Sequence, residues 1–207
     1  MILSILLPHL RNPGNDQALH LALEMLQANT DSEYVLCMDT TTSAPLLPRM
    51  NRLVKDAPTE CCVITSSDIF LAPHWDTLML EAYAPEVFVT GVVVEPGVLG
   101  VHEMNYGYNF GSTPGTFKRD RFETFAATEV PTLKGDGWVV PYMFHRDRWL
   151  SLGGLNNEAG DLMDVPADEV YFREWKAAGN RIVRTKSCAY HLQRWSSVKE
   201  QEDGKRQ

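Results

Sequence analysis

The sequence predicts a single α/β domain in which helices flank a mixed, mostly parallel sheet. The chain has 207 residues, which is enough for one domain with a full hydrophobic core. Hydrophobic residues make up 44% and charged residues 22% of the chain, as in an ordinary globular protein. Short apolar runs alternate with segments of helical period, a pattern that favours parallel strands joined by right-handed helical connections.

The first half of the chain contains apolar runs separated by helical segments. The continuous apolar run at 2–7 is typical of a strand that is covered on both faces. Turn-forming residues at 11–16 follow it and lead into a helix from residue 17 that residues 29–31 end. The other elements predicted in this half are a strand at 33–38, a helix at 45–55, a strand at 61–65, a helix at 75–82 and a strand at 86–94.

The regular alternation stops after residue 94. Residues 97–135 hold glycines, aromatic residues and scattered charges without a sustained period, which predicts a long functional loop with some irregular strand. Beyond this loop the sequence predicts a strand at 138–144, a helix at 147–152, a helix at 168–178 and a strand at 181–184. We therefore place the domain in residues 1–198 and expect the polar residues 199–207 to be a disordered tail.

The net charge and the cysteines exclude several classes of protein. The net charge is -8 and the isoelectric point is about 5.2, whereas proteins that bind nucleic acids or anionic membranes are basic. The four cysteines form no C-x-x-C pair and three lie in apolar runs, which predicts free thiols in a reducing compartment. The apolar start of the chain is too short for a membrane span and has no basic residue before it, unlike a signal peptide. We expect a cytoplasmic protein without a membrane span, and its oligomeric state stays open.

Asp68 follows the third predicted strand, where the chain turns out of the sheet. Open α/β sheets bind their ligands at this edge. Divalent cations such as Mn²⁺ and Mg²⁺ prefer oxygen ligands and stabilise the charge on a phosphorylated leaving group. Asp68 is therefore a candidate metal ligand. Alternatively, its carboxylate caps the turn into Ile69 and Phe70.

Two further polar residues follow predicted strands. Asp39 comes after the second strand, where it can accept hydrogen bonds from a ribose or a base. Alternatively, it forms an Asx-turn with Thr41 or Thr42. His191 follows the last strand, and its imidazole can bind a metal or contact a diphosphate, or can be hydrogen-bonded at the strand end without such a role.

A series of segments, taken in order, resembles the family-2 glycosyltransferases of the GT-A fold. They include an opening strand that ends in proline, a second strand that ends in aspartate, and the position of the Asp-x-Asp metal motif. A Gly-Gly segment, an acidic helix start and a closing strand before a histidine follow. These segments lie at 5–8, 35–39, 66–68, 69–76, 144–149, 153–158, 168–179 and 182–191. Ser66 replaces the first acid of Asp-x-Asp, and Ala167 stands where an acid is common.

The resemblance implies a GT-A, Rossmann-like sheet and an inverting glycosyltransferase. Such an enzyme moves a sugar from a UDP- or GDP-linked donor to a hydroxyl of a carbohydrate or another acceptor, with Mn²⁺ or Mg²⁺ at the diphosphate. Asp68 and His191 would bind the metal. The residues that would contact the nucleotide-sugar donor are Pro8, His9, Arg11, Asp39, Ser66 and Ser67.

The resemblance also implies that Asp168 is the general base, since the acceptor hydroxyl must lose its proton as it attacks the anomeric carbon. Asp161 and Asp164 are the other candidates for this role. As an alternative, Asp168 opens a helix, where a carboxylate gains about 0.3–1 kcal/mol from the backbone dipole whatever the function. Trp138 and Tyr106 are candidates for packing on the acceptor sugar, although core packing explains such aromatic residues equally well.

Two other functions stay open. A nucleotidyltransferase that joins a sugar phosphate to a nucleoside triphosphate uses a glycine- and lysine-rich loop after the first strand. Residues 11–15 contain one glycine and no lysine, which disfavours that reaction. The other possibility is a glycosyltransferase fold kept only as a binding or structural module. Ser66 favours this possibility, because a serine at that position leaves the metal site without one carboxylate.

Overall fold

The computed structural model describes residues 1–9, 11, 13–40, 46–98, 105–133, 140–155 and 167–192. Within this part of the chain, eight strands form one sheet. The strands are β1 (Leu3–Pro8), β2 (Tyr34–Asp39), β3 (Cys61–Ile64), β4 (Ile69–Leu71), β5 (Val87–Glu95), β6 (Tyr106–Gly107), β7 (Tyr142–His145) and β8 (Arg181–His191). The strand order is β2-β1-β3-β7-β5-β8-β4, and β6 pairs with β5.

Parallel pairs outnumber antiparallel pairs in this sheet. β1 is parallel to β2 and β3, and β5 is parallel to β6 and β8. β7 is antiparallel to β3 and β5, and β4 is antiparallel to β8. The predicted mixed, mostly parallel sheet is thus confirmed. Because β1, β2, β3, β5 and β8 all run in one direction, their carboxyl ends share one side of the sheet, which we term the carboxyl edge.

Helices cover both faces of the sheet, as predicted. In the described ranges they are α1 (Pro13–Asn29), α2 (Leu46–Asp56), α3 (Trp75–Leu80), α4 (Arg119–Thr128), α5 (Arg146–Ser151) and α6 (Ala167–Ala177). α2, α5 and α6 pack around Phe88 in a first core cluster. Val87 and Val89 point the other way along β5 and join α1 and α3 in a second cluster. A third cluster contains α4, part of α1 and the carboxyl halves of β5 and β8.

The pairing of β8 with β5 changes register opposite Gly91. The shift lies between Thr90 and Val92, and β8 bulges at this point. A Cβ atom on Gly91 would lie 2.5 Å from the carbonyl oxygen of Ser187, closer than any side chain tolerates. Glycine at this position therefore permits the bulge, and the bulge sets how the rest of β8 lies against β5.

Several predicted boundaries differ from the structure, and the short strand β4 was not predicted. Within residues 97–135, β6 agrees with the predicted irregular strand, but the predicted loop also contains the helix α4. Only Phe122 and Phe125 of α4 are buried. Two apolar positions are too few to show a helical period in the sequence. β8 continues to His191 instead of ending at residue 184. The polar residues of its bulge interrupt the apolar alternation, so the pattern predicted an earlier end. α1 begins at Pro13, within the predicted turn, since a proline is well accommodated in the first turn of a helix.

The cysteines are free thiols, as predicted. Burial raises the pKa of Cys61 and of Cys62 to about 12, so neither is a thiolate nucleophile at neutral pH. Of the helices that the structure describes, none combines the length and the apolar character that crossing a bilayer requires. The predicted tail at 199–207 lies outside the described residues.

Candidate functional site

Asp68 lies in the turn that links β3 to β4. Residues 65–68 leave β3 at the carboxyl edge and cross to β4, the strand beside β8. The side chain of Asp68 is 19% exposed, and its Oδ1 accepts a hydrogen bond from the hydroxyl of Ser66. The backbone oxygen of Asp68 accepts a hydrogen bond of 3.1 Å from the amide of Leu192. The turn is thereby held against the end of β8.

His191, the last residue of β8, lies between two carboxylates. Its Nε2 is 3.6 Å from Oδ2 of Asp68, and its Nδ1 is 2.9 Å from Oε1 of Glu95. Residues from three distant segments of the chain thus meet at the carboxyl edge. We term Asp68, Glu95 and His191 the edge cluster. The structure brings together the two residues that the sequence predicted as a metal-binding pair.

The register of β5 and β8 explains why Glu95 meets His191. Val94 pairs with Tyr190, and both side chains enter the third core cluster. Side chains alternate along a strand, so the next residues, Glu95 and His191, project from the opposite face at the carboxyl edge. The backbone oxygen of Glu95 also accepts a hydrogen bond of 2.9 Å from the amide of Tyr108. Pairing with both neighbours fixes the end of β5.

The hydrogen bonds within the edge cluster determine its charges. Burial disfavours the imidazolium of His191, but the carboxylate of Asp68 at 3.6 Å and the hydrogen bond to Glu95 outweigh burial and raise the pKa of His191 to about 9. Burial alone would raise the pKa of Asp68, whereas the hydrogen bonds and the charge of His191 lower it below its ordinary value. At neutral pH the protein without metal therefore holds an imidazolium between two carboxylates.

Glu95 is a member of this site that the sequence analysis missed. Its side chain is only 4% exposed. It ends a long apolar strand just before Pro96 and Gly97, so its position resembles that of Asp68. An acidic residue at the carboxyl end of a buried strand is the signal that could have identified it.

A second polar group lies at the carboxyl edge, around Asp39 at the end of β2. Asp39 is 7% exposed, and its Oδ2 lies 2.5 Å from Nη2 of Arg52 and 3.5 Å from Nε of Arg49. Nη2 of the buried Arg49 donates to the backbone oxygens of His9, at 2.8 Å, and Asp39, at 2.6 Å. Arg49 thus ties the chain after β1 to the end of β2. Neither arginine was predicted to be part of a site.

The predicted donor residues of the first loop differ in their exposure. Pro8 is buried in β1 and pairs with Asp39. His9 is 1% exposed, and its Nε2 lies 2.8 Å from Oδ1 of Asp16. Arg11 is exposed. Pro8 and His9 therefore form the wall of this part of the edge, and Arg11 faces solvent.

The remaining candidates are distributed as follows. Ser66 is half-buried and Ser67 is 8% exposed, both in the turn before β4. The half-buried Tyr106 stacks on Phe125, with ring centroids 5.7 Å apart, and so packs against the third cluster. Of Asp168, only the backbone, at the start of α6, is described. The acceptor candidate Trp138 and the alternative bases Asp161 and Asp164 lie outside the described residues.

Few side chains at the edge cluster are available to bind a metal ion. Within the described ranges, no group of three or more His, Cys, Asp or Glu side chains has an arrangement that could hold a metal ion. Glu95 is engaged with Nδ1 of His191, on the side of the ring away from Asp68. Nε2 of His191 and Oδ2 of Asp68 are consequently the two atoms that face each other across the site.

The solved structures that are similar to this chain include two that differ from it strongly in sequence. GalNAc-T7, crystallised with UDP, GalNAc and Mn²⁺, has a TM-score of 0.48 and 9% sequence identity over 91% of this chain and 42% of that chain. TarS 1–349 from S. aureus has a TM-score of 0.47 and 9% identity over 94% of this chain and 59% of that chain. With TM-scores below 0.5, neither likeness supports a conclusion about function.

The chain therefore spans less than two thirds of either of these proteins. No protein-family model matches the sequence, and no curated protein matches it significantly. The family-2 assignment stays a prediction.

Proposed function

We propose that this chain is a domain of an inverting glycosyltransferase. It binds a UDP- or GDP-linked sugar together with Mn²⁺ or Mg²⁺ and transfers the sugar to a hydroxyl of a carbohydrate or another acceptor. One observation carries the proposal. A carboxylate and an imidazole from distant segments, Asp68 and His191, converge to 3.6 Å at the carboxyl edge, where open α/β sheets bind their ligands.

The spacing of Asp68 and His191 fits two ligands of one divalent cation. Carboxylate oxygens and imidazole nitrogens lie about 2.0–2.2 Å from such ions, so neighbouring ligands of one ion are roughly 3–3.6 Å apart. The observed separation of 3.6 Å is within this range. Cations at phosphate sites commonly have one or two protein ligands, and substrate phosphates and water complete the coordination. When bound, the cation would stabilise the negative charge on the departing diphosphate.

Ser66 fits a positioning role in such a site. Its hydroxyl donates to Oδ1 of Asp68, while Oδ2 of the same carboxylate faces His191. The serine that replaces the first acid of the motif thus holds the remaining carboxylate in one orientation. Because an imidazole binds a metal only when it is neutral, His191 would release its proton on binding the cation.

The polar group around Asp39 supports binding of the nucleotide. It lies at the carboxyl edge, as the edge cluster does, and carries both hydrogen-bond acceptors and donors. Arg52 is 52% exposed above the nearly buried Asp39. In a chain of net charge -8, the guanidinium groups of Arg49 and Arg52 provide local positive charge for an anionic ligand. Pro8, His9 and Arg11, with Ser66 and Ser67, are the other residues that we assign to donor binding.

We assign removal of the acceptor's proton to Asp168, with Asp161 and Asp164 as alternatives. Asp168 lies in the first turn of α6, within one of the segments that resemble the family-2 enzymes. A carboxylate within hydrogen-bond reach of the acceptor hydroxyl would take up the proton as the hydroxyl attacks the anomeric carbon. Trp138 and Tyr106 are assigned to the acceptor side.

A second candidate function is a binding module without catalysis. Without a cation, the imidazolium of His191 already offsets one of the two negative charges of Asp68 and Glu95. This arrangement, together with Ser66 in place of an acid, favours a protein that keeps the fold and has lost the metal.

Calorimetry with UDP- and GDP-linked sugars, with and without Mn²⁺, distinguishes the two candidates. For the transferase we expect Mn²⁺-dependent binding of a nucleotide sugar that is lost in Asp68→Ala. Asp147→Ala is a matched control, because Asp147 is 61% exposed on α5, beyond the opposite edge of the sheet. Binding that does not depend on Mn²⁺ would contradict the transferase and favour the binding module. No binding of either nucleotide would contradict the transferase and favour a structural module.

A further inference from the structure

We infer that Glu95 is a positioning residue that orients the ring of His191 and thereby sets the affinity of the cation site. This inference rests on the proposed function, because it concerns the cation assigned there to Asp68 and His191. The observation that carries it is a buried carboxylate whose Oε1 lies 2.9 Å from Nδ1 of His191, on the side of the ring away from Asp68.

The backbone holds Glu95 firmly in place. It is the last residue of β5, between β8 on one side and β6 on the other. Tyr108 donates its amide to the backbone oxygen of Glu95, and the preceding residue, Val94, is paired with Tyr190. The backbone of Glu95 is therefore rigid, and its side chain is just long enough for the carboxylate to contact His191.

The hydrogen bond from Nδ1 determines which nitrogen of His191 is available to a cation. A neutral imidazole has one N–H and one lone pair. If Nδ1 keeps its hydrogen and donates it to Glu95, the lone pair lies on Nε2, which faces Oδ2 of Asp68. Without Glu95 the ring can rotate or exchange its tautomer, and the lone pair is no longer fixed toward Asp68.

A site with few protein ligands depends strongly on the orientation of each one. Histidines that bind metals commonly donate their second N–H to a carboxylate, and loss of that carboxylate lowers metal affinity about 10–100-fold. Burial of a carboxylate is also unfavourable unless it has a hydrogen-bonded partner. Glu95 is only 4% exposed, and its hydrogen bond to His191 offsets part of the cost of burying it.

The test measures Mn²⁺ affinity by electron paramagnetic resonance in the full chain, without nucleotide, with UDP and with GDP. We expect Glu95→Leu, which has a similar size and no acceptor, to weaken Mn²⁺ binding about 10–100-fold. Glu95→Gln keeps an acceptor oxygen for Nδ1–H and should stay within a few-fold of the unmodified protein. Glu86→Leu is the matched control: Glu86 is 55% exposed and immediately precedes β5 at its other end.

A second variant keeps the test decisive if Glu95→Leu does not fold. Glu95→Asp retains the charge, but its shorter side chain cannot reach Nδ1, so the same weakening is expected. Circular dichroism and thermal unfolding identify the folded variants. Unchanged Mn²⁺ affinity in folded Glu95→Leu or Glu95→Asp would overturn the positioning role and leave the proposed function intact. Absence of Mn²⁺ binding in the unmodified protein, with UDP and also with GDP, would overturn both.

Discussion

The charge of His191 depends on two acidic side chains that come from different parts of the chain. Asp68 and Glu95 each contact one nitrogen of the ring, and together they offset the cost of burying the imidazolium. In the absence of metal, these contacts stabilise the junction of three segments: the turn after β3, the end of β5 and the end of β8. The same three side chains would thus serve folding and, in the proposed function, cation binding.

This ion cluster predicts that the protein loses stability at alkaline pH. The pKa of His191 is about 9 in the folded protein and 6.5 in an unperturbed histidine, so the folded state holds its proton more tightly. The contribution is fully present below about pH 6.5 and is lost as pH rises through about 9, by at most about 1.4 kcal/mol per pH unit. Urea unfolding in EDTA at pH 6.5 and pH 9.5 measures it.

His191→Gln is the control for this pH dependence. The pKa of His74 is also raised, by its hydrogen bond to the carboxylate of Asp31, and His74 titrates in both proteins. The difference between the unmodified protein and the variant therefore isolates His191. Equal losses of stability in both proteins between the two pH values would show that the edge cluster does not hold the proton.

Individual side chains of the site were predictable only where a local pattern marks them. Asp68 and His191 each follow a strand-like run, and this position identified both. Glu95 carries the same signal at the end of β5 and was overlooked. Its contact with His191 could not be predicted, because β5 and β8 are remote in sequence. Arg49 and Arg52 were missed because basic residues of an amphipathic helix are normally solvated. Their contact with Asp39 follows from how α2 packs on the sheet, which no local pattern specifies.

The bulge in β8 connects the centre of the sheet to the site. Opposite Gly91 the strand shifts its register, and only after this shift does Val94 pair with Tyr190. The sequence predicted a strand that ends at residue 184, before the bulge. Its polar residues at 185–187 interrupt the apolar alternation, so the pattern ended the strand at 184, and only the resemblance at 182–191 extended it to His191. Tertiary pairing with β5 and β4 overrides that local signal.

Gly91→Ala should therefore disturb both stability and the site. The new Cβ atom would lie 2.5 Å from the backbone oxygen of Ser187, so β8 must shift at the bulge. We expect a loss of about 1–3 kcal/mol in the free energy of unfolding, as for other overpacked positions. Mn²⁺ binding should weaken as well, because the shift moves His191 relative to Glu95. Urea unfolding and a Mn²⁺ titration measure the two effects.

Gly115→Ala provides the matched control for this substitution. A Cβ atom on Gly115 meets nothing within 4 Å. Its effect on the free energy of unfolding should stay within about 0.5 kcal/mol, the usual range for surface positions. If Gly91→Ala were equally neutral, the close approach of β8 at the bulge would not constrain the register.

The fold class of the whole domain was predictable, whereas its strand order was not. Alternating apolar runs and helical segments indicate an α/β sheet, because each pattern is local. The order depends on pairings between distant segments. β7 lies antiparallel between β3 and β5, and the three-residue β4 lies beyond β8 although it follows β3 in the chain. This return across the sheet places Asp68 over the end of β8, and so the topology, more than any motif, assembles the site.

Phe88 lies in the first core cluster, and its loss should destabilise the whole domain. Its fully buried ring packs on side chains of β7, α5 and α6 at centroid distances of 4.8–6.2 Å: Tyr142, Phe144, Trp149, Phe172 and Trp175. Phe88→Ala removes these contacts and leaves a cavity, so we expect a loss of about 3–5 kcal/mol. The total free energy of unfolding of a domain is about 5–15 kcal/mol, so the urea concentration at the midpoint of unfolding should fall markedly.

Leu150→Ala, at a 38% exposed position of α5, is the control and should change the free energy of unfolding by less than about 0.5 kcal/mol. If both variants lost a similar amount of free energy of unfolding, the aromatic side chains around Phe88 would not stabilise the fold.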